Sequence, residues 1–424
     1  MPTPSLLIVP ARFKSGKLYS QIPTSGAGDF TVTRATNATR VNASGLIESV
    51  ASGIPRLDYF ASGGTVGCPA LLVEPAATNL VPNGVGFNVA TGVQTSGVTD
   101  SPAVAISGTL VTKNEASGTI RYANQTFSAT ALASGTTYSV SRFFKYNGVA
   151  FTTSLTRNDA LQWGSVGWQQ DIVLSAASGV TLGASTLCTG SIENFGNGWY
   201  RVNVRVTTGA TIGGAATVQV LSILPAALST GQGFLIACPQ LETGSVATSY
   251  IPTTTGSVTR SADVISVTGV AGLIGQTEGT IYAEVDIRNL TTADFPRIVS
   301  LRESANSNNF FEIEKRSSTQ LRITARLNSG TTITFLTHPN AFQLGTNKIA
   351  FAYQDGNYAM GFNGVVATSS QAGMTASLNQ VNLGSSSFSV AQLNDRIRAV
   401  SIYQTRLPNT TTDGSPSLQS ITTL

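Results

Sequence analysis

The chain has 424 residues, room for about three domains, because one hydrophobic core seldom outgrows what roughly 150 residues serve. Charged residues are 11% of it against a usual figure of about 25%, and the formal charge of +4 comes without a basic run. That excludes a nucleic-acid channel of clustered Lys and Arg with interleaved aromatics. With 41% hydrophobic residues and 42 Gly, the surface falls to Ser, Thr, Asn, Gln and Gly, a composition suited to pleated sheets and tight turns and poor in the residues that cover helices.

The chain opens with "MPTPSLLIVPARF", which has no positive segment before its apolar run, and Pro10 closes that run. No secretory signal is expected, no stretch is long enough to span a bilayer, and folding in a cytoplasm without membrane insertion follows. Residues 1–83 alternate very short apolar runs ("LLIV", "FTVT", "LIESV", "ALLVEP") with Pro and Gly. Such runs make brief strands with little core of their own, an irregular N-terminal region that is either a flexible arm or an attachment segment ordering against a larger assembly.

From 84 to 262 the strands lengthen. In "NGWYRVNVRVTTG", Tyr200, Val202, Val204 and Val206 alternate with Arg201, Asn203 and Arg205, a half-buried antiparallel strand entered through an Asn197-Gly198 turn. "TTYSVSRFFKY", "GGAATVQVLSI" and "GQGFLIACPQLETG" supply further strands, and their close spacing without a helical period predicts a two-sheet jelly roll. The block 263–424 repeats the logic. "GTIYAEVDI" sends Ile281, Ala283, Val285 and Ile287 inward and Tyr282, Glu284 and Asp286 outward. In "FAYQDGNYAMGFNGVVA" the Asp355-Gly356 and Asn363-Gly364 turns join three strands as a meander, and the last residues predict a short helical or irregular tail.

Four stretches carry a family resemblance. "TVTRATNATRVNASGLIESVASGIPRLDY" with "CPALLVEPAATNLV" resembles the N-terminal region of head-fibre, head-spike and tail-fibre proteins of tailed bacteriophages. "CPQLETGSVATSYIPTTTGSVTRSADVISV" resembles the linker that closes a carbohydrate-binding-module-like jelly roll in those proteins, and "IENFGNGWYRVNVRV" is similar to a late strand of such a jelly roll. "GTNKIAFAYQDGNYAMGFNGVV" with "IRAVSIYQTRL" resembles the concanavalin-A-like lectin and glucanase sandwich. The resemblance implies an N-terminal virion-attachment region (1–83), a jelly roll (84–262) and a concanavalin-A-like sandwich (263–424). It also implies a virion location on capsid or tail, contacts with other virion proteins through residues 1–83, assembly in the host cytoplasm, and closure of edge strands as a homotrimer.

Concanavalin-A-like folds also house glycosidases, which need two carboxyl groups across the scissile bond. Here Glu284-Val285-Asp286 is followed by Arg288 and Asn289 where the second Glu of the glucanase pattern belongs, so no catalytic residue is assigned and an enzyme is not expected. His338 precedes Pro339 in a turn, and no nucleophile elbow or zinc-protease motif accompanies it. Cys68, Cys188 and Cys238 are too widely spaced for a metal site and are expected as buried free thiols; no metal or cofactor is expected.

For carbohydrate binding the candidates are Trp163 and Trp168, which the Gly-spaced "LQWGSVGWQQD" can present on one rim for stacking against sugars; the alternative is that each packs inside the sandwich, as Trp199 is expected to. The expected function is structural display on a phage particle as a head fibre, spike or decoration protein, with weak adhesion to host or environmental glycans. The alternative is a tail-fibre receptor-binding protein for a bacterial surface carbohydrate, and a polysaccharide depolymerase stands behind both.

Overall fold

The computed structural model describes residues 3–424 except 83–87, 90, 116–117, 129–131, 158–162, 165, 213–216, 289, 291–294, 307, 318–319, 328–331, 375–376 and 387–390. It is all-β, with 52% strand and 2% helix, arranged as antiparallel sheets in two sandwiches. In the central sandwich an eight-stranded sheet runs Thr189–Asn194, Trp199–Thr207, Thr137–Lys145, Gly233–Thr243, Ile106–Lys113, Val93–Ala103, Ile47–Val50, Ala38–Val41. It faces a six-stranded sheet centred on Thr217–Leu224 and Phe151–Arg157.

The alternation Val202, Val204, Val206 packs inward in this sandwich with Leu155, Ile172 and Phe234. The entering turn is as expected, with Asn197 and Gly198 both at positive φ, 52° and 78°, where Asn and Gly are tolerated. The polar face of the same strand is not all solvated: Arg201 is 1% exposed, because that side of the sheet is covered by a second cluster of Phe60, Phe143, Phe195, Trp199 and Tyr250.

The C-terminal sandwich packs an eight-stranded sheet, built around Gly345–Gln354, Glu278–Ile287 and Asp395–Tyr403, against a nine-stranded sheet centred on Gln380–Leu383 and Arg297–Arg302. Ile281, Ala283, Val285 and Ile287 are buried between them, as the period of two requires, beside Phe311, Phe351 and Tyr353. The meander is present: Gly345–Gln354, Tyr358–Phe362 and Val365–Ser369 pair in sequence, and Asn363 and Gly364 both adopt positive φ in the second turn. A short helix, Leu418–Thr422, capped by Ser417, lays Leu418 over Ala350, Ala352 and Ala359.

Residues before the central sandwich take their order from the rest of the chain. Leu6–Ile8 and Gly64–Val73 pair with Asp395–Tyr403, Phe30–Thr33 pairs with Val264–Thr268, and Ile47–Val50 meets the end of Val93–Ala103 through a parallel bridge at Ala103. Brief strands without a core of their own thus become edges of both sandwiches. The outermost, Phe13–Lys14, is an exposed edge of the nine-stranded sheet.

Replacing Phe311, fully buried and stacked on Tyr353 at 5.2 Å, with Ala is expected to cost about 3–5 kcal/mol in denaturant unfolding. The same change at Phe13, 37% exposed, is expected to stay within about 0.5 kcal/mol.

Candidate functional site

The residues of the two most distinctive stretches converge on one buried ionic network. Arg34, Thr39, Arg56 and Asp58 come from the first, Glu74 and Asn79 from the "LLVEPAATN" segment, and Thr248, Ser249, Arg260 and Asp263 from the linker between the sandwiches. Glu74, 0% exposed, accepts from Arg56 Nη1, Arg260 Nη1 and Ser249 Oγ at 2.7 Å each through Oε2, and from the Ser249 amide at 2.7 Å through Oε1. Asp263 Oδ1 accepts from Arg34 Nη1 at 3.0 Å, and Oδ2 accepts from Arg56 Nη2 and from the Glu74 amide, the latter at 3.0 Å. Asn79 donates to the Ile251 carbonyl at 2.9 Å and accepts from the Leu241 amide at 3.1 Å, tying the linker to the central sandwich.

Burial alone would raise the Glu74 carboxyl, but the charges of Arg260, Arg56 and Arg288 outweigh it and hold the group well below the usual carboxylate range. The same carboxylates, Asp263 and Glu74, keep Arg56 firmly charged despite complete burial.

The network opens onto a cleft between the sandwiches through one pair. Arg288, at the end of Glu278–Ile287, donates to Glu193 Oε1 of the central sandwich at 3.1 Å from Nε and 2.8 Å from Nη2. Burial pushes Glu193 up and Arg288 and Arg201 pull it further down, so it stands ionised at the cleft wall. The cleft has a volume of about 190 Å³ and is bounded by Ser191, Glu193, Asn203, Leu290, Leu344 and Asn394. A smaller recess of about 70 Å³ continues from it along Thr189, Gly190 and Ser245.

Asn203 donates its amide Nδ2 to Glu193 Oε2 at 3.3 Å. Because an ionised carboxylate only accepts, that bond fixes which way the amide is turned and leaves Oδ1 as the free atom. Asn203 Oδ1 and Asn394 Oδ1 are buried acceptors without a hydrogen-bond partner among the described residues. Native proteins rarely leave such atoms unsatisfied. Glu193, Asn203 and Asn394 thus wall the cleft together with the apolar Leu290 and Leu344.

The two tryptophans named as rim candidates take the other alternative and lie inside. Trp163 and Trp168 are both 0% exposed, with rings 5.2 Å apart, and belong to the core of the central sandwich. Two bulky apolar rings bury more area inside than any sugar stack offers, and the glycines between them serve packing: Gly164, at φ +67°, lies so close to Gly209 that a Cβ would sit 2.6 Å from its backbone. Trp199 is core, as expected.

The thiols also differ from expectation. Cys238 is buried, Cys188 is intermediate and Cys68 is exposed, since its strand lies toward the edge of its sheet. Glu284 accepts from the Tyr282 hydroxyl at 3.2 Å and Asp286 from Arg398 at 3.4 Å on the outer sheet face. Arg288 stands where a second acid would be needed and is spent on Glu193; Asn289 lies outside the described residues. His338, 2% exposed, accepts the Asn340 amide at Nδ1, so its Nε2–H points to the Val365 carbonyl at 3.1 Å, and burial holds it neutral.

No family model matches the chain, and no curated protein matches it with significance. Among solved structures it is similar to domain 4 of AbnA, a GH43 extracellular arabinanase from Geobacillus stearothermophilus, in complex with arabinotriose (14% identity, 38% of this chain and 73% of that one, TM-score 0.29). It is also similar to domains LG4-5 of the mouse laminin alpha1 chain (10% identity, 77% and 92%, TM-score 0.24). A tandem pair of CBM22 domains from Paenibacillus barcinonensis shows 8% identity over 81% and 98%, TM-score 0.24. These neighbours are all-β domains, and likeness of this size transfers no residue role.

Glu74→Gln is expected to lower stability by about 3–5 kcal/mol at pH 7, because it leaves buried guanidinium groups uncompensated. The carboxyl is held lower in the folded than in the unfolded chain, so its contribution is full above the ordinary value of about 4.5 and is lost as pH falls toward the folded value. The gap between denaturant midpoints of wild type and variant should therefore begin to narrow below about pH 4.5 and keep narrowing as pH falls further; a gap that stays constant would contradict the assignment.

Proposed function

We propose that this chain is a binding and display protein, without catalysis, whose inter-sandwich cleft holds one residue of a neutral glycan weakly. The observation that carries the reading is the pair of unpartnered buried acceptors, Asn203 Oδ1 and Asn394 Oδ1, beside the ionised Glu193 in a 190 Å³ cleft. Sugar hydroxyls supply the donors these atoms lack, and Leu290 and Leu344 suit the C–H face of a ring. The cleft is smaller than the roughly 300–1,000 Å³ of sites that enclose drug-sized ligands, and among the described residues no aromatic side chain lines it, so affinity on the order of millimolar is expected.

The finer assignment is a structural protein on the surface of a tailed-phage particle, a head fibre, spike or decoration. It rests on the resemblance of residues 31–59, 68–81 and 238–267 to such proteins. Those are the segments whose polar residues build the buried network, which supports a structural reason for their composition. Attachment through the N-terminal region then falls to its exposed parts, such as the Phe13–Lys14 edge, and trimerisation would cover open sheet edges.

Titration of the full chain with neutral mono- and oligosaccharides by ligand-observed NMR tests the site. Binding near millimolar is expected, weakened about tenfold or more by Asn203→Ala and by Asn394→Gly, the latter chosen because Asn394 has φ 53° and Gly keeps that backbone. Absence of binding at tens of millimolar, or binding indifferent to both changes, would remove the cleft from consideration. Sedimentation is expected to give three times the 43.9 kDa chain mass; a monomer at all concentrations would refute the trimer.

A further inference from the structure

A second cavity lies deeper at the same junction, and nothing in the glycan reading uses it. It has a volume of about 20 Å³, room for one small species, between the outer face of the central sandwich (Phe143, Phe195, Arg201) and that of the C-terminal sandwich (Asp58, Arg288, Arg396). Four arginines, Arg40, Arg201, Arg288 and Arg396, line it with one carboxylate, Asp58.

That carboxylate is fully engaged. Asp58 Oδ1 accepts from Arg396 Nε at 2.7 Å and from the Phe60 amide at 3.0 Å, and Oδ2 accepts from the Val41 amide at 3.0 Å. Arg288 is committed to Glu193. Arg201, 1% exposed, donates Nη1 to the Thr248 carbonyl at 2.7 Å and Nη2 to Ser141 Oγ at 2.9 Å, both neutral acceptors. Among the described residues no carboxylate lies within 4.0 Å of it, and its Nε has no partner. Arg396, 2% exposed, likewise leaves Nη1 without one. Of the nearest acids to Arg201, Glu193 belongs to Arg288, and burial pushes Glu242 up toward its neutral form.

Arg201 has acids only at a distance, Glu193 and Glu242, and none in direct contact, and a buried cation so placed is costly. We propose that the cavity binds a single monovalent anion of chloride size, held between Arg201 and Arg396. Phosphate or sulfate exceeds the space, and the rings of Phe143 and Phe195 suit a weakly hydrated halide. The anion would couple the docking of the two sandwiches to halide concentration, independently of any glycan in the outer cleft.

Thermal unfolding of the full chain in sodium chloride or bromide against sodium gluconate, at constant ionic strength, tests this. The midpoint is expected to rise by about 1–2 °C for each tenfold increase in halide above half-saturation. Arg201→Met is expected to abolish that dependence, whereas Arg121→Gln, which alters a partly exposed pair with Glu115 away from the cavity, should leave it intact. Should Arg201→Met fail to fold, bromide-soaked wild-type crystals decide: an anomalous peak between Arg201 and Arg396 is expected. Equal midpoints in halide and gluconate, with no anomalous peak, would mean that the cavity holds water only and would overturn the proposal.

Discussion

The carboxylate of Glu74, buried between Arg56 and Arg260 and backed by Asp263, is the constraint on which the rest of the molecule turns. An ion pair taken wholly out of water gains little net stability over a well-packed apolar cluster, yet leaving one member unpaired is severely destabilising. Its effect is therefore on geometry. Arg56 and Glu74 come from the first hundred residues, Arg260 and Asp263 from the linker, and only one mutual arrangement satisfies all four. Segments with too little apolar surface to fold alone are thereby fixed in register against two sandwiches that have large cores.

The outer cleft inherits its shape from that junction. Arg288 reaches Glu193 across the gap between the sandwiches, and Glu193 in turn orients the Asn203 amide, so the unpartnered oxygen facing the cleft is two steps from the network. A surface otherwise made of hydroxyl and amide groups carries little charge with which to attract ionic ligands.

Much of the architecture was legible in the chain. Strict alternation, as in Ile281, Ala283, Val285 and Ile287, fixes which face meets the core because successive strand side chains point opposite ways. Asn-Gly pairs at 197–198 and 363–364 announce hairpins because few other residues accept positive φ. The site was hardly legible. Asn203 reads as the solvated face of its strand, and Asn394 as an ordinary loop residue; nothing local says that they meet. Trp163 and Trp168 read as a rim because glycines flank them, yet glycine permits close packing as readily as exposure. A usable signal was present in the first stretch: Arg and Asp recurring in a chain so poor in charge are candidates for burial in pairs.

By itself, then, the sequence determined an all-β chain, the inward face of its regular strands, its hairpin turns and its weakly charged surface, all consequences of local periodicity and backbone preference. Tertiary structure alone decided that Arg34, Arg56, Glu74, Arg260 and Asp263 form one network, that the N-terminal strands complete both sandwiches, and that the tryptophans are core. The reason is sequence separation. Partners up to 229 residues apart, such as Arg34 and Asp263, are joined by electrostatics that acts only once the fold has excluded water, and no local pattern encodes that meeting.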